Sequence, residues 1–323
     1  NEEMMGMPLR VSYIGAGGFS SRLIHPQLGR HGVVLSAICD LDEARARHAA
    51  TCHGFERVYT DFHEMLEREE PDAVFCVGPQ AMQYAVGLEV LRAGFPLYVQ
   101  KPAAISSEQT REMAEAARAA GVICHVGFNL RSAPAARRTR EAILSGEFGT
   151  PTLGIFRYGL MSRPNWREAI LDQHVHAIDL LLHLLGDWRA AQVTPILQEG
   201  TRGYVAGLAL ESGCAAALCT THEMDAGDEF ISFEITGRDG HAVFCHDGDL
   251  RYHRPGADDV MMRMGTWNQQ RLIDWWGYFD DVASFFAAVR GEAEDICPIA
   301  DTIRTMELGE EIARLCYEGG ASE

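Results

Sequence analysis

The sequence predicts an α/β fold: a doubly wound parallel sheet at the N-terminus, then an α+β domain with a largely antiparallel open sheet. Three observations predict it. Apolar strand-like runs alternate with amphipathic helical segments from residue 8 to about 130, the pattern of a sheet covered by helices on both faces. The first run, Val11 to Ile14, empties into Gly15-Ala16-Gly17-Gly18-Phe19-Ser20, a glycine turn that opens a helix. Beyond Gly149-Thr150-Pro151 one helix is followed by consecutive strand-like runs, which favours antiparallel or mixed pairing.

In order, the first domain reads as strands at 8–14, 33–39, 72–77, 96–100 and 122–127. Helices are expected between them at 19–30, 42–53, 61–69, 80–93 and 107–120, several closed by glycine at Gly54, Gly94 and Gly121. Ligands of such sheets bind at the carboxyl ends of the strands. Gly15, Asp40, Gly78-Pro79, Gln100-Lys101-Pro102 and Gly127-Phe128-Asn129 should therefore converge on one crevice. Gly15 permits the tight turn, Gly17 lets the backbone approach a pyrophosphate, and free N–H groups of the following helix face the anion. Ser20 stands where the pattern prefers a third Gly or Ala. Asp40 closes the second strand, where a carboxylate accepts ribose hydroxyls and repels a 2′-phosphate, so NAD is favoured. Arg45 and Arg47 on the next helix keep NADP as the less favoured alternative. Asp40 also suits a helix N-cap, and the two roles can coexist.

The second domain reads as a helix over about 173–185 and strands near 191–198, 203–210, 213–222, 229–236 and 241–246. Gly237-Arg238-Asp239-Gly240 and Asp247-Gly248 have hairpin-turn chemistry, 257–270 is loop-like, and helices over 274–290 and 299–318 finish the chain. The expected division is 1–131 and 132–323, with the last helix packing back on the first domain. Composition is that of a globular protein, 47% hydrophobic and 23% charged over 323 residues. Twenty-eight basic against 46 acidic residues, a net charge of −18, oppose nucleic acid or an anionic membrane as the main partner. Nine cysteines, scattered and without a C-x-x-C pair, read as reduced thiols of a cytoplasmic protein. Residues 1–7 have neither the basic region nor the apolar core of a signal peptide, and no apolar run reaches membrane-spanning length.

Two constellations can carry chemistry. Lys101 ends the fifth strand with its backbone restricted by Pro102, at the rim of the crevice, where an ammonium can stabilise charge developing on a substrate oxygen. Asp172 and His176 are four apart at a helix entry, so a carboxylate could orient an imidazole acting as general base. The plainer readings are a strand-end lysine in solvent, an N-cap for Asp172 and a satisfied core histidine for His176. Asp172, His174, His176 and His183 also admit a metal, although His-x-His spacing does not put both rings on one helix face, so no metal is expected. No nucleophilic triad, G-x-S-x-G or P-loop sequence is present.

With these motifs in order, nearly the whole chain resembles the glucose–fructose oxidoreductase, inositol dehydrogenase and MocA family of NAD(P)-dependent sugar and cyclitol oxidoreductases. The resemblance rests on Gly15-Ala16-Gly17-Gly18-Phe19, Cys39-Asp40, Val77-Gly78-Pro79, Lys101-Pro102, Gly127-Phe128-Asn129-Leu130-Arg131 and the Asp172, His176, Asp179 helix entry. It implies an N-terminal Rossmann domain and a C-terminal domain whose open sheet mediates homodimer or homotetramer contacts. It implies Lys101, His176 and Asp172 as catalytic residues in hydride transfer between nicotinamide and a sugar, cyclitol or polyol. Gly15, Gly17, Gly18, Phe19, Asp40, Gly78, Pro79, Gln83, Gln100, Lys101 and Asn129 become cofactor contacts; Arg131, Arg157, Trp166, Arg167, Asp172, His174 and His176 join Lys101 at the substrate. The chain departs from the family pattern at Gln100 for a usual glutamate, Gln83 for a common histidine, His174 for a common glycine, and Glu168-Ala169-Ile170-Leu171 for a glycine-rich lead-in. These departures bear on substrate identity more than on reaction class. A noncatalytic NAD- or sugar-binding regulator of the same fold is the alternative, opposed by the presence of both Lys101 and His176.

Overall fold

A computed structural model describes residues 7–161, 169–198, 202–225, 230–263 and 273–319. The chain forms two units: one runs through Gly127 and resumes over Tyr278–Asp301, the other comprises Phe128–Gly277 and the chain from Thr302.

The first unit holds a parallel six-stranded sheet of β1 (Arg10–Ile14), β2 (Val34–Cys39), β3 (Arg57–Tyr59), β4 (Ala73–Cys76), β5 (Leu97–Gln100) and β6 (Cys124–Gly127). Its order, β3-β2-β1-β4-β5-β6, reverses direction at β1 and β4, the switch point where such sheets bind ligands. Helices α1 (His25–Leu28), α2 (Glu43–His53), α3 (Phe62–Glu69), α4 (Gln80–Arg92) and α5 (Ser107–Ala120) connect the strands. Local chemistry sets their ends. Asp42 accepts from the Arg45 N–H and Ser106 from the Gln109 N–H as N-caps, while Gly54 and Gly121 close α2 and α5 in the left-handed region. A three-residue β3 at the sheet edge was not expected, because Arg57-Val58-Tyr59 is too short and too exposed to show a buried pattern.

One row of rings crosses four strands in register. Tyr13 pairs with Phe75, Phe75 with Tyr98 and Tyr98 with His125. The rings stack at centroid distances of 5.5, 4.6 and 5.2 Å, each pair contributing about 0.5–1.5 kcal/mol beyond its burial. Helix α8 (Tyr278–Val289) covers this row with Phe285 and Phe286. At the row's end His125 Nδ1 meets Asp295 at 2.6 Å and Nε2 meets Asp281 at 3.3 Å. Burial disfavours the imidazolium, but the two carboxylates outweigh it and raise its pKa to about 9. The helix that returns to the first unit is thus α8, whereas α9 (Ile299–Glu318), expected to do so, belongs to the second from Thr302 onward. The aspartates of the 278–298 stretch select the former.

The second unit holds an eight-stranded mixed sheet ordered β14-β13-β12-β11-β7-β10-β9-β8. Its strands are β7 (Pro151–Met161), β8 (Trp188–Pro195), β9 (Gly203–Leu210), β10 (Ala215–Met224), β11 (Phe230–Gly237), β12 (Ala242–His246), β13 (Asp249–His253) and β14 (Val260–Met262). All pairs are antiparallel except β7 with β10. Helices α6 (Pro134–Leu144), α7 (Val175–Leu185) and α9 pack their apolar residues into the core this sheet shares, among them Ala142, Leu181 and Ile312. Four elements lie outside the sequence expectation: α6, the central strand β7, β13 after the Asp247-Gly248 turn, and β14 within the supposed loop at 257–270. Every one of the nine cysteines is free and seven are buried. Among the described residues no helix is long and apolar enough to cross a membrane.

Stability should be greatest near neutral pH. His125, raised to about 9, contributes stability that is complete below its unfolded value near 6.5 and lost as pH rises through 9. His25 and His31, lowered by burial to about 3 and about 4, contribute stability present above about 6.5 and lost as pH falls towards those values. Urea midpoints measured across this range should fall on both sides, and His125→Gln should flatten the alkaline limb.

Candidate active site

The first unit supplies a cradle for a dinucleotide. Gly15 follows β1 with φ +105°, and its N–H donates to the Cys39 carbonyl at 2.8 Å. A Cβ on Gly15 would run into the Val77 carbonyl oxygen of the adjoining strand end, so both conformation and space require glycine. At Gly17 and Gly18 a Cβ would meet nothing within 4 Å, and the loop is open to a ligand on that side. The helix that follows begins at Gly18 and runs into a π-turn at Ser20–Ile24, and Gly17 before it has no side chain to cap the first N–H groups, which leaves them for an anion. Asp40 binds the loop directly. Its Oδ2 accepts from the Ala16 N–H at 2.7 Å and its Oδ1 from the Asp42 N–H at 2.9 Å. Each oxygen retains a lone pair to accept from a ribose hydroxyl, so the loop and carboxylate fit NAD. Arg45 turns towards Asp42 at 3.0 Å and Asp40 at 3.9 Å, already paired with carboxylates. Gly78 and Pro79 are exposed at the start of α4, and Phe19 is 37% exposed beside the loop.

Lys101 leaves β5 half-buried, before a cis peptide bond to Pro102. It is the only lysine in the chain; the other 27 of the 28 basic residues are arginines. That signal was legible in the sequence by counting alone and outweighs the motif around it. Gln83 departs from its expected role as a cofactor contact. It is 1% exposed and its amide is engaged at both ends by the Gln100 and Pro102 main chain, so it holds the lysine's strand end. Gln100 is likewise buried, at 5%.

The second unit carries the histidine. Residues 170–174 form a π-turn and α7 begins at Val175, so Asp172 and His176 do not lie on one continuous α-helix as their spacing suggested. Both side chains are half-buried. Asp172 Oδ2 accepts from Gln173 Nε2 at 2.7 Å, and the His176 ring stands edge-on to Phe128 at 6.2 Å.

Four expected substrate or cofactor contacts are placed otherwise. His174 is fully buried: its Nε2 meets His222 Nε2 at 2.6 Å and its Nδ1 meets the Tyr204 hydroxyl at 3.1 Å. Burial, reinforced by His222, holds it neutral, far below the ordinary histidine pKa. Arg131 forms a buried bidentate pair with Asp179, at 2.8 and 2.6 Å, because a guanidinium matches a carboxylate edge. Thr305 adds a hydrogen bond to the same carboxylate at 3.1 Å. Asn129 is 1% exposed and donates to the Trp276 carbonyl at 2.7 Å. Arg157 projects from the exposed face of β7 towards Glu234 at 3.4 Å, on the side of the sheet away from the core. Trp166 and Arg167 lie outside the described residues. Sequence reasoning missed His222, Tyr204, Asp281 and Trp276, which are far from their partners in the chain and belong to no local motif. Among the described residues no three potential ligands gather for a metal.

These features make the first unit a candidate site for NAD. Residues 9–128 match the model of an oxidoreductase family with an NAD-binding Rossmann fold. The chain is 26% identical to 1,5-anhydro-D-fructose reductase of Ensifer adhaerens over 97% of its length and 98% of the relative's. It is 30% identical to D-glucoside 3-dehydrogenase of Escherichia coli K12, over 57% of this chain and 56% of that one. A dehydrogenase from Chromobacterium violaceum shares the fold with a TM-score of 0.87 at 22% identity, covering 95% of each chain.

Gly15→Ala should weaken NADH binding at least tenfold, read by nucleotide fluorescence, because the loop must move to clear Val77. Arg131→Met should lower unfolding free energy by about 3–5 kcal/mol, since it strands Asp179 without its partner; denaturant titration reads this, and NADH affinity should stay unchanged.

Proposed function

We propose that the protein is an NAD-dependent dehydrogenase that oxidises a secondary hydroxyl of a monosaccharide, cyclitol or related polyol, or reduces the corresponding ketone. The observation that carries this reading is Lys101. A chain that meets every other need for positive charge with arginine keeps one lysine, at the end of β5. Arginine cannot release its proton, whereas an ammonium can hold or give one as its surroundings require.

In this reading His176 accepts the hydroxyl proton as the carbinol carbon loses hydride, and Asp172 orients the imidazole and favours its charged form. Lys101 donates a hydrogen bond to the same oxygen and stabilises the charge that develops there. NAD, when bound, supplies the hydride acceptor. The Gly15–Gly18 turn with Phe19 would hold the pyrophosphate, and Asp40 the ribose. The names of the relatives, an anhydrofructose reductase and a glucoside dehydrogenase, support a sugar as substrate. The proposal includes a homodimer or homotetramer formed through the open sheet face, where Leu153, Val205 and Met261 are 42%, 50% and 51% exposed; light scattering tests it.

A panel of glucosides, anhydro sugars and inositols, followed by NADH absorbance, should reveal turnover with at least one class. Lys101→Met and His176→Asn should each lower kcat by about 10²–10⁴-fold while NADH affinity holds. Normal turnover in both variants would remove the assignment.

A further inference from the structure

Two departures from the family pattern, Gln83 and Gln100, meet in the structure. The β4–β5 ladder ends at Cys76 and Val99, one residue short of Gln100. There the Gln83 side chain takes over the missing strand's part: its Oε1 accepts from the Gln100 N–H at 3.0 Å and its Nε2 donates to the Gln100 carbonyl at 2.9 Å. The same Nε2 donates to the Pro102 carbonyl at 3.0 Å, so one amide grips the main chain on both sides of Lys101.

Gln100 holds what remains. Its Oε1 accepts from the Lys101 N–H at 3.1 Å and its Nε2 donates to the Tyr98 hydroxyl at 3.1 Å. Tyr98 has one proton, and Asp281 takes it at 2.7 Å, so the tyrosine oxygen must receive a donor from its other neighbour. An amide supplies one. A glutamate would set a carboxylate oxygen against the tyrosine's lone pairs, beside Asp281 and Asp295 with only the His125 imidazolium between them. Gly127 opposes Gln100 in the ladder, and a Cβ there would fall on the Gln100 Nε2 and the Tyr98 hydroxyl, so the contact also needs that glycine.

We propose that Gln100 is a positioning residue for Lys101, working as an amide and not as a carboxylate, with Gln83 as its brace, and that the buried Tyr98–Asp281–His125–Asp295 chain imposes this choice. The inference rests on the reading of Lys101 as the group that faces the substrate oxygen. Its second consequence is electrostatic: with a neutral amide preceding it, Lys101 gives up its proton at lower pH than it would beside a glutamate.

Because the chain has a single lysine, the ε-amine can be titrated without any substrate. Competitive acetylation of the NAD-loaded protein across pH, followed by peptide mass spectrometry, reads its pKa. Gln100→Glu should raise that pKa by about one unit, shift the pH profile of kcat by the same amount and leave KM unchanged. It should also lower the thermal midpoint, and Gln100→Glu with Tyr98→Phe, which removes the opposed oxygen, should recover most of that loss. Gln83→Leu should broaden the acetylation response and lower kcat about tenfold, with Gln83→Asn no substitute because its amide is too short. An unchanged lysine titration and an unchanged midpoint in Gln100→Glu would overturn the proposal. Activity surviving Lys101→Met would instead overturn the catalytic reading, and the acetylation result would still report whether the clamp exists.

Discussion

The aromatic row Tyr13, Phe75, Tyr98 and His125, closed by a buried imidazolium between two aspartates, is the constraint on which the first unit depends. A parallel sheet needs both faces covered, and here part of one cover comes from chain that arrives only after most of the second unit. Apolar packing by Phe285 and Phe286 supplies area, but the ion pairs supply register, since only one placement of α8 brings Asp281 onto both His125 and Tyr98. A charge so deeply placed is costly to strand, which makes the arrangement close to all-or-none. The same hydroxyl that serves Asp281 then reaches Gln100, so the packing of a structural helix is transmitted to the strand end that presents Lys101.

A net charge of −18 sits uneasily with a doubly charged pyrophosphate ligand. The cradle resolves this with main-chain dipoles rather than cationic side chains: glycines that bring the backbone close, and a helix start whose N–H groups have no side-chain cap. Asp40, a carboxylate that would repel a phosphate, fixes the loop through Ala16. Two helices, the one after Gly17 and the one that carries His176, pass through a π-turn. Such turns occur often at functional sites, because the extra residue per turn re-aims side chains without breaking the helix.

Much of this was legible in the residues. Five buried strands of the first sheet announce themselves as apolar runs, four of them ended by glycine or an acid and the other by Gln100-Lys101, and the glycine turn and Asp40 carry their own mechanism. The edge strand β3 has no such pattern because only one side of it is paired. Strand β7 was hidden for another reason: Pro151, Gly154, Gly159 and an outward Arg157 interrupt the alternation, although the strand lies between β10 and β11 at the centre of its sheet. The helix pattern through Asp172 and His176 assumed 3.6 residues per turn, and a π-turn has no periodic signature to correct it. Arg131 and His174 were expected at the substrate because the resemblance puts Arg131 in the Gly127-Phe128-Asn129-Leu130-Arg131 motif and His174 at a common glycine position beside His176. Their partners, Asp179 and His222, lie 48 residues away in each case, and distance along the chain conceals a buried pair.

The outer edge of β6 bears on how the protein is made. In the finished fold it is closed by the stretch before α9: Val126 donates to the Cys297 carbonyl and His125 bridges Pro298. During synthesis that edge leaves the ribosome before the second unit and waits, with open hydrogen-bonding groups and a histidine lacking both counter-ions, until almost the last residues are added. An early segment that cannot finish alone invites chaperone capture or mispairing with a neighbouring nascent chain. Cutting the gene after the cofactor-binding motifs would therefore yield a sheet with its β6 edge open and its aromatic row uncovered, while joining Gly127 to Tyr278 through a short linker keeps the closing piece with that edge.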